Sequence, residues 1–113
     1  MIEPNSELII DFELVRDNIQ EIKKKLPKHC NFMGVIKSDA YGHDLKIATN
    51  AIKDVVDGFG AVRLDEALVI RENSSKPILA MQGVYSSDAY DLIKQKNIWT
   101  VVHSISQLPL AKQ

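Results

Sequence analysis

Between Val35 and His43 the chain reads VIKSDAYGH, an apolar run that ends on a lysine and breaks at once into small, polar, aromatic and glycine residues. The residues before the lysine, Met33 to Ile36, form an apolar run too short for a helix and read as a strand, so Lys37 stands at a strand's carboxyl end. In α/β folds with parallel strands, that end is where ligands bind. An amine held there by rigid backbone, in a partly desolvated mouth, is placed for the nucleophilic attack that Schiff-base chemistry requires. Ser38 to His43 add hydroxyls, a carboxylate and a permissive glycine, and they lead into a helix N-terminus that favours an anion such as a phosphate. A lone lysine in such a place is also commonly a solvated charge, and Tyr41 a packing residue. Spacing alone does not choose between these readings.

Positioning such a lysine requires a scaffold, and the hydrophobic pattern supplies one. Glu7 to Asp11 (ELIID) reads as a short strand, after which Phe12, Val15, Ile19, Ile22 and Leu26 recur at helical spacing until Pro27. A strand over Asn31 to Lys37 is followed by Leu45, Ala48, Ile52 and Val55, again at helical spacing. Gly58 to Val62 starts another strand, followed by a helix carrying Leu64, Ala67, Leu68 and Arg71 and ending near NSSKP. Pro77 to Met81 and Ile98 to Val102 read as two more strands, separated by a helix from about Ser86 to Gln95. Ser104 with Gln107 three residues on has the form of a capping box, and Pro109 sits awkwardly in the helix it would open. The alternation predicts parallel strands with helices over one face and a core filling the other. It fits either an open doubly wound sheet or part of an eight-stranded (β/α) barrel.

Composition narrows the function classes. With 113 residues, 45% hydrophobic and 26% charged, the chain has the profile of one soluble domain or a piece of one. A formal charge of -1 and the lack of a basic stripe interleaved with aromatics argue against nucleic acid as a partner. No signal-like start and no apolar run of bilayer length are present, which predicts a cytoplasmic protein without a membrane partner. Cys30 is the single cysteine, so neither an internal disulfide nor a thiolate metal centre is expected, and it reads as a small buried apolar residue.

The segment VIKSDAYGH resembles the cofactor-lysine motif of the alanine racemases: a strand, a lysine, two small or polar residues, then Ala-Tyr-Gly-His. IIDFELVRDNIQEIKKKLP is similar to that family's first strand and helix, with Asn18 at its recurrent asparagine. GFGAVRLDEALVIRE, with Glu66, Ala67 and Arg71, and KPILAMQGVY resemble the segments that follow. The resemblance covers essentially the whole chain and implies an α/β fold, the N-terminal portion of a (β/α)8 TIM-type barrel, with residues 1–113 a partial barrel domain. It implies that Lys37 holds pyridoxal 5'-phosphate covalently, that Tyr41 reaches the cofactor's phosphate, and that the activity is the interconversion of L- and D-alanine, a small-molecule amino-acid substrate. In the full-length family form it implies a homodimer supplying D-alanine. Two residues depart from the motif, Asp44 where the family has glycine and Ser38 where alanine is commoner. The family's barrel is about twice as long and is followed by a β-rich domain, so its second base and the arginine at the pyridine nitrogen map to nothing here. The chain alone is therefore expected to be inactive. Alternatives are a non-catalytic remnant or cofactor-binding module, and a racemase of the same fold acting on serine or basic amino acids.

The remaining ionisable residues read as structural. Asp65 and Glu66 face different sides of a helix and read as a solvated pair in its first turn. Arg63 and Arg71 read as helix-surface salt bridges. His29 reads as loop surface, His103 as a strand-end residue, and Lys23 to Lys25 as a solvated helix end.

Overall fold

The computed structural model describes residues 5–112. Four short parallel strands, β1 (Met33–Val35), β2 (Gly58–Ala61), β3 (Ile78–Ala80) and β4 (Trp99–Thr100), form one sheet in the order β1-β2-β3-β4. Each strand pairs with the next in the chain, in the registers Gly34↔Phe59, Gly60↔Leu79 and Leu79↔Trp99. A doubly wound sheet reverses its strand order at a switch point. This sheet has no reversal, and it is the opening arc of a (β/α)8 barrel.

Helices occupy the connections: α1 (Phe12–Lys24), α2 (Lys37–Gly42), α3 (Leu45–Ile52), α4 (Leu64–Asn73), α5 (Ser87–Lys96) and, beyond a 3-10 turn at Ile105–Gln107, α6 (Leu108–Ala111). Their apolar faces meet one side of the sheet. Phe59, Ala61, Ile78 and Ala80 point to that side and are fully buried with Ala67 and Ile70 of α4, and Ile36 and Ile52 join them. The other side carries Val35, Gly60, Leu79 and Trp99 in register, and there Val35 is 46% and Trp99 53% exposed. The helix-covered face is thus the packed one, while the opposite face, where the sequence predicted a core, is only partly covered, with Gly60 buried and Val35 and Trp99 half-exposed.

Two features of the pattern differ in the folded chain. Glu7 to Asp11 forms no strand, and Leu8 and Ile9 stay exposed, because β1 pairs only with β2 among the described residues and no ladder reaches this segment. Asp11 instead caps α1, its carboxylate accepting from the Glu13 and Leu14 amides at 3.0 and 3.4 Å. The last strand shortens to Trp99–Thr100, the only residues of Ile98 to Val102 that pair with β3. The capping box at Ser104 does form, Gln107 Oε1 accepting from the Ser104 amide at 3.2 Å, and Pro109 is accommodated in the first turn of α6. Gly83, with φ +86°, turns the chain after β3, where a Cβ would lie 2.8 Å from the Val101 carbonyl oxygen.

Candidate active site

The β1 ladder runs one residue past the strand, Ile36 N–H donating to the Gly60 carbonyl at 2.9 Å. Lys37 follows immediately, half-buried at the carboxyl end of the sheet as the sequence predicted, and its amine has no hydrogen bond or ion pair among the described residues. The chain then does something that the pattern did not foretell. Ser38, Asp39, Ala40 and Tyr41 all take left-handed helical angles, φ between 53° and 57° and ψ between 37° and 50°. None is glycine, and such residues pay about 1–2 kcal/mol each for this conformation, so the surroundings must impose it.

The surroundings are visible. The Ala40 amide donates back to the Ile36 carbonyl at 3.1 Å, and the Ala40 methyl is buried in the core. Asp39 Oδ1 accepts from the Leu45 amide at 2.8 Å, tying the turn to the start of α3. Asp44 caps the same helix through the Ile47 amide at 3.0 Å, with φ 72° and ψ 114°. That positive φ is a backbone state that glycine adopts readily, which gives a physical meaning to the departure from the family's glycine. The turn displays Tyr41 with 68% of its surface exposed. Behind it lies an apolar cavity of about 110 Å³ lined in part by Phe12, Val35, Ile36, Tyr41 and His43, with the Phe12 and His43 rings edge to face at 6.4 Å.

Glu66 supplies the remaining anchor. One carboxylate oxygen accepts from the Ser38 amide at 2.7 Å; the other accepts from the Val62 and Arg63 amides at 3.1 and 2.9 Å. This carboxylate joins the ends of β1 and β2, so its reading as a solvated helix charge is corrected. Sequence contained one signal for it: a glutamate three residues after the helix-entry residue, the reciprocal half of a capping box. The bond to Ser38 had no such signal, since it spans 28 residues and depends on strand pairing.

Other residues fall into structural places. Arg63 and Asp65 form a two-bond surface pair at 3.0 and 2.5 Å, which raises the guanidinium's pKa and lowers the carboxyl's. Arg71 makes no salt bridge among the described residues; it donates to the carbonyls of Ser74, Lys76, Lys96 and Asn97, and burial lowers its pKa. His103 contacts the Met81 carbonyl at 3.1 Å, and His29 is loop surface. Cys30 is exposed rather than buried, because it lies in the connection between α1 and β1, outside the packed layers. Lys23 is half-buried and donates to the Val55 carbonyl at 3.0 Å, while Lys24 and Lys25 are exposed as expected.

No helix among the described residues is long and apolar enough to cross a membrane. Lys37 and Tyr41 thus share one turn at the mouth of a barrel arc. Residues 10–113 match the family model described as alanine racemase, N-terminal domain. The chain is 41% identical over 100 residues to an alanine racemase of Mannheimia succiniciproducens, covering 88% of this chain and 28% of that protein. It is 40% identical over 99 residues to one of Pasteurella multocida, covering 87% and 27%. Among solved structures, the alanine racemase from E. faecalis superposes with a TM-score of 0.84 at 29% identity, covering 92% of this chain and 28% of that one. The enzyme from Pseudomonas aeruginosa gives 0.81 at 28% identity, covering 89% and 28%. The chain spans under a third of the length of these relatives. On its motif, its sheet order and these matches, the chain belongs to the alanine racemase family, as part of that family's N-terminal barrel domain.

Proposed function

We propose that residues 1–113 form the cofactor-lysine portion of a pyridoxal-phosphate-dependent racemase acting on alanine. The observation that carries this reading is the Lys37 amine, without a partner among the described residues, set directly after the last ladder bond of β1 and followed four residues on by the exposed Tyr41. These groups fit the cofactor's chemistry: an amine for its aldehyde and a hydroxyl donor for its phosphate. When bound, pyridoxal phosphate supplies an electron-withdrawing ring that spreads negative charge from the substrate's α-carbon.

In this reading Lys37 Nζ would hold the cofactor, and as a free amine it would take or return the substrate's α-proton on one face. Tyr41 would donate its O–H to the phosphate. Glu66, Asp39 and the buried Ala40 hold the turn so that neither group must be ordered at the moment of reaction. The base for the opposite face is assigned to no residue of this chain, so inversion needs further polypeptide and, in the full-length form, a second subunit. We take the setting to be cytoplasmic and the full-length product to be D-alanine for the cell wall.

Borohydride reduction of the chain with pyridoxal phosphate, followed by peptide mapping, tests the reading. We expect the label on Lys37, and a label on another lysine with Lys37 unmodified would refute it.

A further inference from the structure

Resting on that reading, we infer that Glu66 is a positioning residue for Lys37, holding the lysine's turn in its left-handed state through the Ser38 amide. The carboxylate divides its work. Oε1 serves the Val62 and Arg63 amides at 3.1 and 2.9 Å and so organises the entry to α4, whereas Oε2 serves the Ser38 amide at 2.7 Å and has no other partner among the described residues. Ser38 is the first left-handed residue of the turn and is bonded covalently to Lys37. Its amide is therefore the point at which an outside group can most directly fix the direction of the lysine.

The remaining anchors act farther along. Ala40 bonds back to Ile36, and Asp39 bonds forward to Leu45. Without Oε2, Ser38 can leave a conformation that non-glycine residues disfavour, carrying Lys37 and Tyr41 with it. The arrangement also spans two barrel units: a side chain of the helix after β2 controls the lysine after β1. The geometry needs a carboxylate. A glutamine has one acceptor oxygen, which can keep the helix-entry bonds, but its NH₂ would then face the Ser38 N–H, donor against donor.

The experiment compares the wild-type chain, Glu66→Gln and, as a surface control on the same helix turn, Asp65→Asn. Three quantities are read for each: melting temperature, hydrogen exchange at the Ser38 amide, and the dissociation constant for pyridoxal phosphate captured at Lys37, located by borohydride mapping. Glu66→Gln is expected to keep a near-wild-type melting temperature, exchange Ser38 about tenfold faster, and bind the cofactor about tenfold more weakly, the scale of one lost bond to a charged group. Asp65→Asn is expected to match wild type in Ser38 exchange and capture. If Glu66→Gln does not accumulate in folded form, Glu66→Asp replaces it with the same expected losses in exchange and capture. Unchanged Ser38 exchange or unchanged capture in the Glu66 variant overturns the inference, as does a capture loss matched by a fall in melting temperature, which marks a purely structural role. Wild-type chain that binds cofactor elsewhere than Lys37 defeats the reading of the site, and the inference with it; that arm separates the two failures.

Discussion

Lys37 and Tyr41 have different relations to their surroundings. The lysine is half-buried at the end of a ladder; the tyrosine stands out with its hydroxyl unpartnered among the described residues. An exposed phenol packs little, so its removal tests function with small structural cost. Tyr41→Phe is expected to weaken pyridoxal phosphate binding by about 1–2 kcal/mol, the value of one hydrogen bond to a charged group, with the melting temperature unchanged. Cofactor titration of the two proteins measures it, and equal dissociation constants would mean that Tyr41 has no part in holding the phosphate. The strand-end placement of Lys37 was legible from the apolar run before it, whereas its assignment to a cofactor came from the motif's resemblance. The anchoring of the adjacent Ser38 by Glu66 was not legible, because that hydrogen bond exists only once β1 and β2 lie side by side.

At the scale of elements, β1 and β2 are pinned at both ends by carboxylates. Glu66 joins their carboxyl ends. At the opposite ends the Phe32 amide donates to Asp57 Oδ2 at 2.7 Å while the Asp57 amide donates to the Phe32 carbonyl at 2.9 Å. The Phe32 hydrogen bond, and behind it the attraction of Lys23 and Lys76, hold the Asp57 carboxyl below the usual carboxylate range against a partial opposing effect of burial. A carboxyl whose folded pKa is depressed adds stability that is present above its unfolded value, about 3.9, and is lost as pH falls through the lower folded value. Asp57→Asn is therefore expected to lower stability at neutral pH and to flatten the acid limb below about pH 4. Denaturant unfolding of both proteins across that range measures it; parallel acid limbs would show that Asp57 is not linked to folding. The helices and strands themselves were largely readable. Phe12, Val15 and Ile19 meet the core as their spacing predicts, and Ala48 and Ile52 do the same for α3. Glu7 to Asp11 misled because an apolar run is only a candidate strand until a ladder accepts it.

The whole molecule is an arc with two unpaired edges. β1 pairs only with β2, and β4 only with β3, among the described residues. Val35 and Trp99 lie half-exposed on the face away from the helices, where a closed barrel has its packed interior. Unpaired parallel edges beside exposed apolar side chains promote association. The 113-residue chain on its own is expected to self-associate with rising concentration and to form no D-alanine from L-alanine and pyridoxal phosphate. Light scattering at several concentrations and resolution of the alanine enantiomers check the two halves. A stable monomer that racemises alanine, and stops when Lys37 is replaced by alanine, would show that this arc carries a complete site.

The sequence by itself determined the β-α alternation, the strand end bearing Lys37 and the family motif around it, because these depend on the order of residue types over a few turns of chain. Tertiary structure decided the sequential β1-β2-β3-β4 order, which separates a barrel arc from a doubly wound sheet, since strand neighbours are chosen by packing rather than by local pattern. It also decided the left-handed turn from Ser38 to Tyr41. No local preference of Ser, Asp, Ala and Tyr favours four such residues in succession; bonds from Glu66 and Leu45, and the burial of Ala40, impose that turn from outside.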